Sequence, residues 1–150
     1  MRQFRVCPAP IETVHPQTGR NLTMVLGVGC DILEVSRMER ELAREGGGFR
    51  DDVFTPAERA WCDNRPHPAR DYAGRFAAKE ALIKALGRIP DSGVHWPDME
   101  IETVNGTAPQ MVLSGPMQEL AEELGIGRIV ISLSGTDTTV MAVVIAEACG

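Results

Sequence analysis

The sequence predicts an α+β fold in which a mainly antiparallel sheet packs around one long central helix. Stretches with the two-residue period of a strand come mostly as neighbours joined by turns, as hairpins do. Stretches with a helical period come in blocks between them, the order of α+β folds and not of doubly wound parallel sheets. One helical stretch, 67–87, is apolar nearly all round, which places it at the centre of the fold.

Residues 1–23 carry three prolines and no sustained period. They read as an N-terminal extension, loosely ordered or laid over the surface, ahead of one domain at 24–150 in which Met24 is a candidate natural start. "MVLGVGC" alternates apolar and small residues like a short buried strand, with Asp31 at its end. The period then changes: Val35, Met38 and Leu42 recur at helical spacing until Gly46 to Gly48 stop the helix and open a loop. "TPAERAWCDN" starts a second helix with a capping box, in which Thr55 accepts from the backbone at Glu58 while Glu58 reaches back, and Pro56 takes the first helical position. The third helix, 67–87, is the longest and ends at Gly87. "DMEIETV" and "APQMVLS" form a hairpin across an Asn105-Gly106 turn. "PMQELAEELG" is a short helix, and "RIVISLS" and "TVMAVVIAE" are two last strands around a Gly135-Thr136-Asp137 turn.

A formal charge of −6 over 150 residues argues against a nucleic-acid or anionic-membrane binder, because phosphate affinity is built from an excess of lysine and arginine. An acidic partner must then be met by a local basic patch. The four cysteines, Cys7, Cys30, Cys62 and Cys149, form no C-x-x-C pair, so neither a disulfide scaffold nor a zinc site is expected and a reducing cytoplasm fits. "VMAVVIA" at 140–146 is too short to span a bilayer and the N-terminus lacks a signal-type apolar core, so the expectation is a soluble, cytoplasmic protein. His15, His67 and His95 read as surface histidines, and Trp61 and Trp96 as packing residues.

The central helix poses a question of its own: Arg75, Lys79, Glu80 and Lys84 leave it little perimeter for water, so some of these charges must be satisfied by something other than solvent. Glu80 and Lys84 can simply pair at i, i+4. Alternatively, if Asp31 lies nearby, two carboxylates around a hard cation with a lysine one turn away make a phosphate-binding site. On the first helix Arg37, Arg40 and Arg44 fall roughly opposite the apolar stripe as a basic ridge. Interleaved Glu39, Glu41 and Glu45 leave a salt-bridged solvated face as the other reading.

"GVGCDILEVSR" at 27–37 and "AGRFAAKEALIKALG" at 73–87 resemble the two long motifs of the holo-acyl-carrier-protein synthase family of 4′-phosphopantetheinyl transferases, and the resemblance extends over residues 24–147. It implies the fold of that family and transfer of the phosphopantetheine arm of coenzyme A to a carrier-protein serine, with release of adenosine 3′,5′-bisphosphate. By resemblance Asp31 and Glu80 are magnesium ligands, and Lys84 binds phosphate oxygens and stabilises the leaving group. Glu80 is the candidate to take the serine proton. Arg75, Thr136 and Asp137 join Lys84 as coenzyme A contacts; Arg37, Arg44 and Lys79 are assigned to the acyl carrier protein. Glu34 matches the first motif too, though a helix-start carboxylate favoured by the dipole explains it equally. The resemblance also implies a homotrimer with active sites between subunits.

The chain departs from the pattern at "SLSGTD", where many relatives have a histidine in place of Gly135. Losing one phosphate or adenine contact weakens coenzyme A binding by about 1–3 kcal/mol without abolishing the metal site. Two rival readings follow: a non-transferring relative that binds carrier protein or coenzyme A, and a magnesium-dependent nucleotide phosphohydrolase.

Overall fold

In the computed structural model, which describes residues 24–44, 48–103 and 108–148, the stretch after Met24 forms strand β1 (Val25–Glu34). It outruns the expected strand because pairing with the last strand continues to Glu34, opposite Thr139. Asp31 therefore lies within the strand and not at its end. Helix α1 (Val35–Ala43) follows directly, with Val35 and Met38 buried. A short helix α2 (Phe49–Val53) occupies part of the expected loop. Five residues carry no readable period; what holds them is tertiary packing, Phe49 meeting the rings of Phe54 and Phe76 edge-on.

Helix α3 (Pro56–Asp63) has the expected capping box, with Glu58 N–H donating to Thr55 Oγ1 at 3.2 Å and Thr55 N–H to Glu58 Oε2 at 3.0 Å. Helix α4 (Pro68–Leu86) ends on Gly87, which turns the chain with φ of 71°. After a single 3-10 turn (Trp96–Asp98) come β2 (Met99–Glu102), β3 (Gln110–Leu113), α5 (Gly115–Glu123), β4 (Ile126–Gly135) and β5 (Thr139–Ala148). The expected extension 1–23, Gly46 and Gly47, the Asn105-Gly106 turn, Cys7 and Cys149 lie outside the described residues. Of the described cysteines, Cys30 is exposed and Cys62 buried, and both are free.

Strands β2 and β3 pair with each other, and the larger sheet has the order β1-β5-β4, antiparallel throughout. Helix α4 lies across this sheet and packs on β1 and β5. Ala73, Ala77, Ala78 and Ala81 on it are fully buried, so strand and helix backbones can approach closely. At Gly27 and Gly29 they touch: a Cβ at either position would fall inside the van der Waals radius of the carbonyl oxygen of Ala85 or Ala81. The other face of the sheet is apolar and uncovered among the described residues, with Ile32 68% exposed, Val28 61% and Met141 43%. Among the described residues no helix is long and apolar enough to cross a membrane.

Gly29→Ala forces two backbones apart, an overpacking that costs about 2–3 kcal/mol. At roughly 2–4 °C per kcal/mol for a chain of this size, the variant should melt about 5–10 °C lower by circular dichroism. An unchanged midpoint would refute the contact.

Candidate active site

With the two-residue period of a strand, Gly27, Gly29, Asp31 and Leu33 share the side of β1 that faces α4. Asp31 is thereby aimed at the C-terminal half of the helix, its side chain 17% exposed. Lys84, in the last turn of α4, crosses to meet it: Nζ donates to Asp31 Oδ1 at 2.8 Å and to the Cys30 carbonyl at 3.0 Å. β1 is the edge of its sheet, and carbonyls on an outer edge have no strand partner, which leaves that of Cys30 open to the lysine. The pairing of Lys84 with Glu80 that spacing alone allows is not formed, because the ammonium goes to the strand.

Glu80 stands one turn before Lys84. Burial raises its pKa above the ordinary carboxylate value, the Asp31 charge raises it further, and Lys84 and Arg37 pull the other way. The hydrogen bond to Asp31 raises the pKa of Lys84, keeping the ammonium charged at neutral pH. Two carboxylates thus act on each other while the ammonium bonds only Asp31, and the half-buried Glu80 is held against its preference when ionised. That donor set fits a hard divalent cation: two carboxylates as oxygen ligands, with Glu80 unpaired among the described residues. No cluster of three or more His, Cys, Asp and Glu occurs among the described residues, so there the candidate ligands are Asp31 and Glu80 alone. This matches magnesium, which usually takes one or two carboxylates and fills its shell with water and substrate phosphates.

The sequence profile of the 4′-phosphopantetheinyl transferase superfamily matches residues 27–143. The chain belongs to that superfamily. It is 44% identical over 130 residues to the holo-[acyl-carrier-protein] synthase of Anaeromyxobacter dehalogenans strain 2CP-1, covering 85% of this chain and 99% of that protein. It is 40% identical over 124 residues to the protein of the same name from Koribacter versatilis, covering 83% and 99%. Among solved structures, the Neisseria meningitidis holo-[acyl-carrier-protein] synthase superposes with a TM-score of 0.73 at 31% identity, covering 83% of this chain and 99% of the other. The coenzyme A complex of the "Chronobacterium ammoniagenes" synthase gives 0.72 at 26% identity, covering 83% and 98%.

Within this transferase fold the remaining expected site residues divide. Arg37, Arg40 and Arg44 are exposed on α1, opposite buried Val35 and Met38. Arg44 is bonded to Glu41 at 3.1 Å, so part of the ridge is neutralised by its own helix. Arg37 borders a hollow of about 180 Å³ lined by Leu33, Met38, Phe49 and Phe76.

Lys79 and Arg75 are corrected. Lys79 has no exposed surface; its ammonium donates to Glu58 Oε2 at 2.7 Å and to the carbonyls of Val53 at 2.6 Å and Trp96 at 3.3 Å. A carrier protein has nothing there to touch. Arg75 is 2% exposed, its guanidinium stacked on Trp61 at 3.7 Å and bonded to Thr103 Oγ1 at 3.3 Å. The physical reason is angular: residues 75 and 79 share the side of α4 turned toward α3 and the 3-10 turn, whereas 80 and 84 share the side turned toward β1 and α1.

Thr136 and Asp137 are not brought to the Asp31 cluster within one chain. Their turn sits past Thr139, which faces Glu34, three positions from Asp31 and about 10 Å along the strand. There Arg70 bonds Asp137 Oδ1 at 3.5 Å and the Gly135 carbonyl at 3.4 Å. Sequence reasoning missed the second role of Glu58, whose Oε1 also accepts from Ile101 N–H at 3.0 Å. It saw only the capping box, because Lys79 and Ile101 are 21 and 43 residues away and no local signal links them.

The Glu80 shift has a sign. A carboxyl whose folded pKa is raised contributes stability below its unfolded pKa, and that contribution is lost as pH rises through the folded value. With a chelator present, Glu80→Gln should therefore unfold at a higher temperature than the parent at neutral pH, the gap closing toward pH 4. A gap that widens on acidification would contradict the site's electrostatics.

Proposed function

We propose that the protein transfers the 4′-phosphopantetheine group of coenzyme A to a serine of an apo acyl carrier protein, with Mg2+, releasing adenosine 3′,5′-bisphosphate. One observation carries the reading: Asp31 of β1 bonds Lys84 of α4, and Glu80, one turn before that lysine, feels the charge of both. The names of the relatives and the coenzyme A complexes among the solved structures support it.

Asp31 and Glu80 would hold the ion, which when bound supplies charge neutralisation at the coenzyme A pyrophosphate. The serine oxygen attacks the phosphorus next to the pantetheine arm, and the bond from that phosphorus to the bridging oxygen breaks. The electron pair leaves on the 5′-phosphate of adenosine 3′,5′-bisphosphate. Lys84 donates to phosphate oxygens and steadies the charge that builds on the leaving group. Glu80, whose pKa burial has already raised, takes the serine proton. The exposed arginines of α1, Arg37 foremost, would receive the acidic face of the carrier and set its serine beside Glu80. Free Cys30 and Cys62 accord with a cytoplasmic setting.

The assembly we propose is a homotrimer with its sites between subunits. Two features support it: the uncovered apolar face of the larger sheet, and the separation of Thr136 and Asp137 from Asp31 within one chain. A neighbour could then supply the turn to the coenzyme A bound at Asp31, Glu80 and Lys84.

Weighing an apo carrier protein after incubation with the protein, coenzyme A and Mg2+ should show the added phosphopantetheine mass. Glu80→Gln should abolish the gain, and Arg37→Ala should raise the carrier KM in a salt-sensitive way. Coenzyme A or carrier binding with no gain would favour a non-transferring relative. For the assembly, sedimentation should give three times the chain mass, and Ile32→Glu should give single chains with no transfer. A parent that sediments as one chain refutes the trimer.

A further inference from the structure

The proposed metal site has a competitor built into it. The Asp31 carboxylate, which the metal reading requires, already accepts through Oδ1 from the Lys84 ammonium at 2.8 Å, and that ammonium is anchored a second time on the Cys30 carbonyl at 3.0 Å. A divalent ion on the same carboxylate would lie within a few ångströms of that ammonium, where the two cations repel strongly, so each weakens the other's hold on Asp31. Of the two, the lysine is the one able to leave. It sits on a flexible four-carbon stem in the last turn of α4, its side chain 52% exposed, whereas Glu80 is held in the middle of the helix. What draws an ammonium off a carboxylate is another cluster of anionic oxygens, and a pyrophosphate offers one. We infer that Lys84 acts as an internal cation that competes with the divalent ion for Asp31, and that its transfer to the phosphates of coenzyme A frees the carboxylate.

The inference rests on the metal site proposed above and adds a coupling to it. Lys84 blocks the ion while it bonds Asp31 and assists it once it bonds phosphate, so ion and coenzyme A favour each other's binding. The protein on its own then binds divalent ions weakly, and its metal site reaches full strength only with the nucleotide in place.

The test is Mn2+ affinity of the whole protein without coenzyme A, followed by electron paramagnetic resonance or calorimetry in a double-mutant cycle. Lys84→Met should tighten Mn2+ binding about tenfold. In a chain that carries Asp31→Asn the same change should give no gain, since the carboxylate charge for which the two cations compete is gone. A gain of equal size in both backgrounds means that Lys84 acts only as a nearby charge, and overturns the inference; so does no gain in either. If Asp31→Asn and Glu80→Gln each bind Mn2+ as the parent does, the metal site itself is wrong and the inference falls with it. Lys84 is half exposed and packs nothing in the core, so Lys84→Met should fold, and a parent-like melting curve verifies it.

Discussion

The contact of β1 on α4 governs the rest of the molecule. Gly27 and Gly29 let the strand backbone lie against the carbonyls of Ala85 and Ala81, closer than any pair of side chains would permit. That approach lets a side chain as short as aspartate face the helix and leaves a lysine in the last turn of α4 just long enough to span the gap to Asp31 and Cys30. A wider separation would move the two carboxylates out of each other's field. The small residues that look like featureless filler are therefore what sets the distances in the site.

The same helix solves a second electrostatic problem on its opposite side. Lys79 and Glu58 form a fully buried ion pair, and Glu58 uses both oxygens, on Thr55 and Lys79 through one and on Ile101 through the other. Burial lowers the Lys79 pKa, and the charge and hydrogen bond of Glu58 offset part of that, so the pair supports the ammonium against burial. Removing one member of such a pair typically costs about 3–5 kcal/mol, since the other is left as a lone buried charge. The network ties α3, α4, the end of α2, the 3-10 turn and β2 together, and so fixes the rotation of α4 about its axis. That rotation decides which charges of α4 face β1.

Much of this was legible in the chain. Helix ends were, because Thr55, Pro56 and Gly87 carry their own local chemistry, and so was the antiparallel character of the sheet. The approach of Asp31 to Lys84 was suspected from residue types and a family likeness, not from spacing, since 53 residues separate them. What stayed hidden was which charges of α4 turn inward. Arg75 and Lys79 differ from Glu80 and Lys84 by a fraction of a turn, and only the partners decide the matter: Trp61 for one, Glu58 for the other. The full length of β1 was hidden for the same reason, because its last residues are strand only by virtue of β5.

The turn between β4 and β5 holds a different kind of lesson. At Gly135 a side chain would place its Cβ 2.6 Å from the Thr139 carbonyl oxygen, the same oxygen that accepts from the Thr136 N–H at 2.8 Å. The loop has closed over the ground a histidine would need. Placing a histidine there by one substitution meets a wall of backbone, so the loop would have to loosen first. A side chain at position 135 thus calls for rebuilding the whole β4–β5 turn and not for one exchange of residues.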